Sequence, residues 1–108
     1  MGLAQKSCVP CEGGVLPLGA REVFDYLKQV PGWKSIRNHH IAKVFEFSDF
    51  KTALAFVNEV GVLAEKEGHH PDINLSWGKA QIELWTHKID GLTESDFVLA
   101  AKIDTLKR

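Results

Sequence analysis

No stretch of this sequence approaches the ~20 consecutive apolar residues of a membrane-spanning helix. Charge leans to neither side: 13 Lys and Arg stand against 14 Asp and Glu. That balance excludes the basic footprint of a nucleic-acid binder and the polybasic patch of a protein held on an anionic membrane. Low-complexity tracts and internal repeats are absent. The opening residues, Met1 to Ser7, carry neither the apolar core nor the small-residue cleavage site of a secretory leader. The expected location is the cytoplasm, and a mature form left after removal of an organellar targeting peptide fits the same residues. Cysteine is scarce, with Cys8 and Cys11 in Cys8-Val9-Pro10-Cys11. Such a pair has three readings: half of a zinc site, a redox pair, or a structural or incidental feature. A redox pair normally opens a helix, whereas this one runs into Glu12-Gly13-Gly14. A zinc site would have to draw its remaining ligands from histidine.

What is present suits one domain of 108 residues, long enough to bury a core without disulfides. Residues 1–17 read as an irregular N-terminal arm and 18–108 as the domain. Val23, Phe24, Leu27 and Val30 recur at helical spacing over Leu18 to Gln29, which Pro31-Gly32 ends. Trp33 to Arg37 and Ile41 to Phe47 read as strands joined by a turn at Asn38-His39, which leaves His39 and His40 solvated. Ser48-Asp49 caps a helix to Glu67 whose apolar stripe is Phe50, Ala53, Leu54, Val57, Val60 and Leu63 or Ala64. Gly61 inside it is expected to permit the close approach of a strand or a second chain. Asp72 to Trp77 and Ala80 to His87 form a hairpin about Gly78-Lys79. Thr93-Glu94-Ser95-Asp96 resembles a capping box opening a last helix to about Leu106. The order α-β-β-α-β-β-α predicts an α+β fold, a four-stranded antiparallel sheet covered on one face by three helices. The edges and polar face of so small a sheet favour self-association.

The chemistry concentrates at Glu65-Lys66-Glu67-Gly68-His69-His70-Pro71. Glycine stops the helix, proline prevents its return, and His70 before the proline is extended. The hairpin brings His87 back to His69 and His70, because paired antiparallel strands match their ends. Glu65 precedes His69 by one helical turn, and Asp96 opens the last helix. Three imidazoles with two carboxylates suit proton transfer near neutrality or, alternatively, a zinc ion with an open position. Against zinc, neighbours on an extended segment point to opposite sides. Trp33, Trp77 and Trp85 offer either flat walls for an aromatic heterocycle or ordinary packing.

The spacing from Glu65 to His69-His70-Pro71, Trp77, His87 and Asp96 resembles the signature of the pterin-4a-carbinolamine dehydratases. Pro31-Gly32-Trp33 and Gly91-Leu92-Thr93 extend the resemblance over about Leu18 to Ile103. Gly19 departs from it, standing where the family often carries a Ser or Thr cap, and the CxxC arm resembles one that only some members have. The resemblance implies dehydration of 4a-hydroxytetrahydropterin to quinonoid dihydropterin, recycling the cofactor of aromatic amino acid hydroxylases. It implies His69 and His87 in acid–base work, and His70 in substrate contact with proton transfer. Glu65 and Asp96 would orient the imidazoles, and Trp33 and Pro71 would line the pocket. It further implies no cofactor and no metal, a small pterin as the partner, and a homodimer or homotetramer. The competing expectation is a non-catalytic pterin-binding, oligomerisation or coactivator module of the same fold.

Overall fold

Two hairpins supply the sheet and the helix between them ties it together. The structure, a computed structural model, describes residues 2–8 and 16–107. In order come α1 (Ala20–Leu27), β1 (Lys34–Ile36), β2 (His40–Glu46), α2 (Phe50–Glu67), β3 (Asp72–Ser76), β4 (Lys79–Leu84) and α3 (Glu94–Asp104), after a single 3-10 turn at Leu3–Gln5. The four strands pair antiparallel in the order β1-β2-β4-β3, so the two hairpins meet along β2 and β4. The expected class and element order are those observed.

Strand alternation sorts the two faces of the sheet. Ile41 and Phe45 of β2 pair with Leu84 and Ala80 of β4, and all four are buried against the helices. Their neighbours Val44, Gln81 and Glu83 look outward from the opposite face. Phe56, Val60 and Ala64 of α2 and Phe97, Leu99 and Ile103 of α3 complete the core. At ~25 cal/mol per Å2 of apolar surface removed from water, the Phe, Ile, Leu and Val side chains among these contribute about 1.5–3 kcal/mol each.

Local chemistry sets the helix ends. Asp49 Oδ1 accepts from the Thr52 N–H at 2.8 Å, capping α2 and holding the Asp49 carboxyl below its usual range. Gly19 offers no capping side chain, yet its own N–H donates to Glu22 Oε1 at 3.1 Å, which supplies half of a capping box. Gly68 ends α2 in the left-handed region at φ 66°, and the His69 N–H returns to the Ala64 carbonyl at 3.2 Å.

Several expectations shift. The β1–β2 turn centres on Arg37 and Asn38, both at positive φ, so His40 starts β2 instead of lying in the turn. Trp77 stands in the two-residue turn Trp77-Gly78 and is exposed, while Ser76 and Lys79 are the last pair of the hairpin. Gly78 is needed there: its carbonyl accepts from the Phe47 N–H at 2.8 Å, and a Cβ would lie 3.0 Å from the Phe47 oxygen. The α2 stripe is rotated onto Phe56, leaving Phe50 and Leu54 exposed. Gly61 faces open space, and among the described residues no strand approaches it. The first residues of the arm dock on the domain: Leu3 is buried, Lys102 Nζ donates to the Ala4 carbonyl at 2.9 Å, and Lys6 reaches Glu94 at 2.8 Å. The hydrogen bond from Lys6, aided by one from the Tyr26 hydroxyl, holds the Glu94 carboxyl low. Val9, Pro10 and Cys11 of the CxxC lie outside the described residues.

Candidate active site

Asp96 is the fixed point of the site. It is the third residue of α3, where the helix N-terminus favours an anion, and its side chain is 0% exposed. Burying a carboxylate is costly unless its lone pairs are matched. Here Oδ2 accepts from the Thr93 N–H and from Thr86 Oγ1, each at 2.9 Å, and Oδ1 accepts from His69 Nε2 at 2.6 Å. The Thr86 and Thr93 hydroxyls also bond each other at 2.9 Å. Among the described residues no buried side-chain polar atom lacks a partner. Three segments therefore meet on one carboxylate: the loop after β4, the start of α3 and the α2–β3 junction.

His69 is the better sequestered of the adjacent pair, at 12% exposure. His70 turns the other way, and its Nε2 bonds Glu65 on the exposed side of α2. The two adjacent imidazoles are thereby separated onto two different carboxylates. Among the described residues no three His, Cys, Asp or Glu side chains converge in a way that could hold a metal.

His87 arrives from a tight loop. β4 ends at Leu84, and Thr86 and Gly91 then close a turn around His87 with Asp90 at φ 54°. Asp72, the first residue of β3 and next to Pro71, lies 3.9 Å from His87 Nε2, which places His87 beside the start of β3. Its side chain is 56% exposed. The nearest ring is Trp85, edge-on at 4.4 Å. An open groove of about 420 Å3 continues from Asp72 along Asn74, Gln81 and Glu83 on the outer face.

Trp33 is elsewhere. It is 3% exposed, packs edge-on to Phe45, and shares its indole N–H between the two Asp104 oxygens at 3.2 Å. Asp104 lies eight residues beyond Asp96 on α3, about 12 Å at 1.5 Å per residue. The structure thus places Trp33 in the core beside Asp104. His39 and His40, expected to be solvated, instead pack on Trp85 at 5.4 and 5.7 Å. The sequence reading singled out neither Thr86 nor Asp72. The Thr93–Asp96 box signalled part of the Asp96 shell, but Thr86 joins it only through the tertiary fold.

Cys8 sits near this site without the character of a reactive thiol. Its Sγ is 3.5 Å from the Ser95 carbonyl, and its N–H donates to Glu67 Oε1 at 3.0 Å. Burial, then the Glu67 charge, push the thiol from 9.0 up to about 12. A redox cysteine needs an accessible thiolate, and this environment works against one.

The family model described as Pterin 4 alpha carbinolamine dehydratase matches residues 16–106, nearly the whole domain. The chain belongs to this family. A Rubrobacter xylanophilus protein bearing the pterin-4-alpha-carbinolamine dehydratase name is 57% identical over 104 residues, covering 96% of this chain and 97% of the relative. A Rickettsia bellii protein of the same name is 50% identical, covering 97% and 94%. Among solved structures, the transcriptional coactivator/pterin dehydratase from Brucella melitensis superposes with a TM-score of 0.77 at 31% identity, covering 82% of this chain and 95% of that one. A pterin dehydratase-like protein identified as a RuBisCO assembly factor in the alpha-carboxysome has a TM-score of 0.59 at 25% identity, covering 68% and 86%. His69-His70-Pro71, His87 and Asp96 all fall within the matched span. The CxxC lies before it.

Proposed function

We propose that this chain dehydrates 4a-hydroxytetrahydropterin to quinonoid dihydropterin by general acid–base catalysis with histidine, as a 4a-hydroxytetrahydrobiopterin dehydratase. The observation that carries the reading is the buried Asp96–His69 pair at 2.6 Å, next in sequence to His70 and Pro71, with His87 3.9 Å from Asp72 just beyond them. The reaction needs an acid to protonate the leaving 4a-hydroxyl and a base to take the proton from the neighbouring ring nitrogen. Water leaves, and a carbon–nitrogen double bond forms. An ionised carboxylate only accepts hydrogen bonds, so Asp96 selects the His69 tautomer with its proton on Nε2. The free Nδ1 lone pair then serves as an acceptor or base. His87, exposed on its loop, is the second proton-transfer group. His70, held by Glu65, contacts substrate beside Pro71.

The pterin cofactor of aromatic amino acid hydroxylases is the substrate class, and the cytoplasm is the proposed location. The exposed apolar flank of α2, with Phe50, Leu54 and Val62, is a surface for homodimers or homotetramers. Among the described residues no helix is long and apolar enough to cross a membrane. A stopped-flow assay on chemically generated 4a-hydroxytetrahydropterin tests the activity. Dehydration above the spontaneous rate is expected, and no acceleration defeats the reading.

One observation favours a second reading. The same fold occurs in the protein identified as a RuBisCO assembly factor, so the scaffold also supports assembly roles. Pterin binding without turnover, or neither, would point to a non-catalytic module.

A further inference from the structure

The three histidines of the site are held by three different devices. His69 has a buried carboxylate at 2.6 Å, and His70 has the Glu65 carboxylate. Among the described residues His87 has no hydrogen-bonded carboxylate: Asp72 is 3.9 Å away, beyond hydrogen-bond length. Its close neighbour is the Trp85 indole, with centroids 4.4 Å apart and planes 66° apart. Edge-to-face rings at this separation are a favoured, directional arrangement.

Trp85 is itself held from behind. It leaves β4 on the outer face, half-buried, with the rings of His39 and His40 at 5.4 and 5.7 Å. His40 Nδ1 meets His39 Nδ1 at 3.1 Å, and His40 Nε2 lies 3.6 Å from Glu83. His39 Nε2 bonds Asp90 at 2.7 Å. That last bond joins the β1–β2 turn to the very loop that carries His87. Arg37 and Asn38, both at positive φ, fix the turn from the other end.

We infer that Trp85 is a positioning residue for His87: its indole, backed by His39 and His40, sets the direction of the His87 imidazole. The inference rests on the dehydratase reading for its kinetic consequence. A proton-transfer group on an exposed loop must be oriented before its chemistry is useful, and small misplacements are costly. Trp85 acts through His87 and is assigned no contact with substrate.

The test uses the full chain with Trp85→Phe, Trp85→Leu, His87→Ala and the Trp85→Leu/His87→Ala double variant, in steady-state dehydration of 4a-hydroxytetrahydropterin. Trp85→Leu is expected to lower kcat roughly 10-fold or more with KM held within about twofold. Trp85→Phe, which keeps an aromatic ring, is expected to restore kcat to within about threefold of the wild type. The double variant is expected to be no slower than His87→Ala, because the two residues act as one unit. An unchanged kcat, a raised KM in place of a lowered kcat, or losses that multiply would overturn the assignment. Histidine-selective NMR reads the same contact without turnover. The His87 ring protons are expected to be displaced by the indole ring current in the wild type and in Trp85→Phe, and to return to free-imidazole positions in Trp85→Leu. If Trp85→Leu does not fold, the wild-type and Trp85→Phe spectra decide. A wild type that does not dehydrate the pterin overturns the proposed function alone, whereas an undisplaced His87 ring in the wild type overturns the role of Trp85.

Discussion

The Asp96 carboxylate, wholly out of solvent, binds His69 Nε2 at 2.6 Å while its second oxygen is saturated by Thr86 and Thr93. Because Oδ2 is already committed, Oδ1 is free for the imidazole alone. Asp96→Asn keeps the shape and removes the charge. It is expected to lower dehydration about 10²-fold, the usual range for a disabled acid–base group. Because an amide NH2 would face a donor on one side or the other, a stability loss of about 1–3 kcal/mol should accompany it. Stopped-flow rates and urea unfolding measured on the same preparation separate the two effects.

Replacing the imidazoles one at a time ranks them. His69→Ala and His87→Ala are each expected to cost roughly 10²-fold or more in dehydration rate. His70→Ala, whose ring lies on the exposed Glu65 side, should act mainly on KM. Unchanged rates in both His69→Ala and His87→Ala would remove histidine from the chemistry.

Trp33 gives the opposite pattern. Trp33→Phe keeps most of the packing against Phe45 and deletes the donor to Asp104. The expected result is a stability loss of about 1 kcal/mol with KM for the pterin unchanged. A raised KM without loss of stability would return Trp33 to the pocket.

Cys8 provides a pH test with a definite sign. Its thiol rises from 9.0 to about 12 on folding, mainly through burial. An acid whose folded value is raised contributes stability that is complete below the unfolded value and is lost as pH climbs toward the folded one. Wild type should therefore lose more stability than Cys8→Ser between pH 9 and pH 12. Denaturant unfolding across that window measures the difference, and parallel curves would contradict it. Alkylation of Cys8 in the native protein should also be far slower than in the unfolded chain.

Gly61 has open space around the Cβ it lacks. Gly61→Ala in the middle of α2 should stabilise the chain by about 0.5–1 kcal/mol. A rise in Tm checks this. Destabilisation instead would show that a second chain approaches α2 at this glycine.

Element order, sheet class and the end of α2 are all readable from the amino-acid chain. These follow from periodicity, from Gly68 in the left-handed region and from Pro71, all of which act within a few residues. It also marked His69, His70, His87, Glu65 and Asp96 as a group, because a hairpin returns its ends to one place. Tertiary structure alone decided which partner each one has. Asp96 takes His69 and Thr86, residues 27 and 10 positions away, because α3 docks with its N-terminus over the α2–β3 junction. The same packing sent Trp33 to the far end of α3. It also brought His39 and His40 onto Trp85, a contact between two hairpins that no local pattern encodes. Periodicity says which face a side chain occupies, but only the docking of one element on another fixes what that side chain meets.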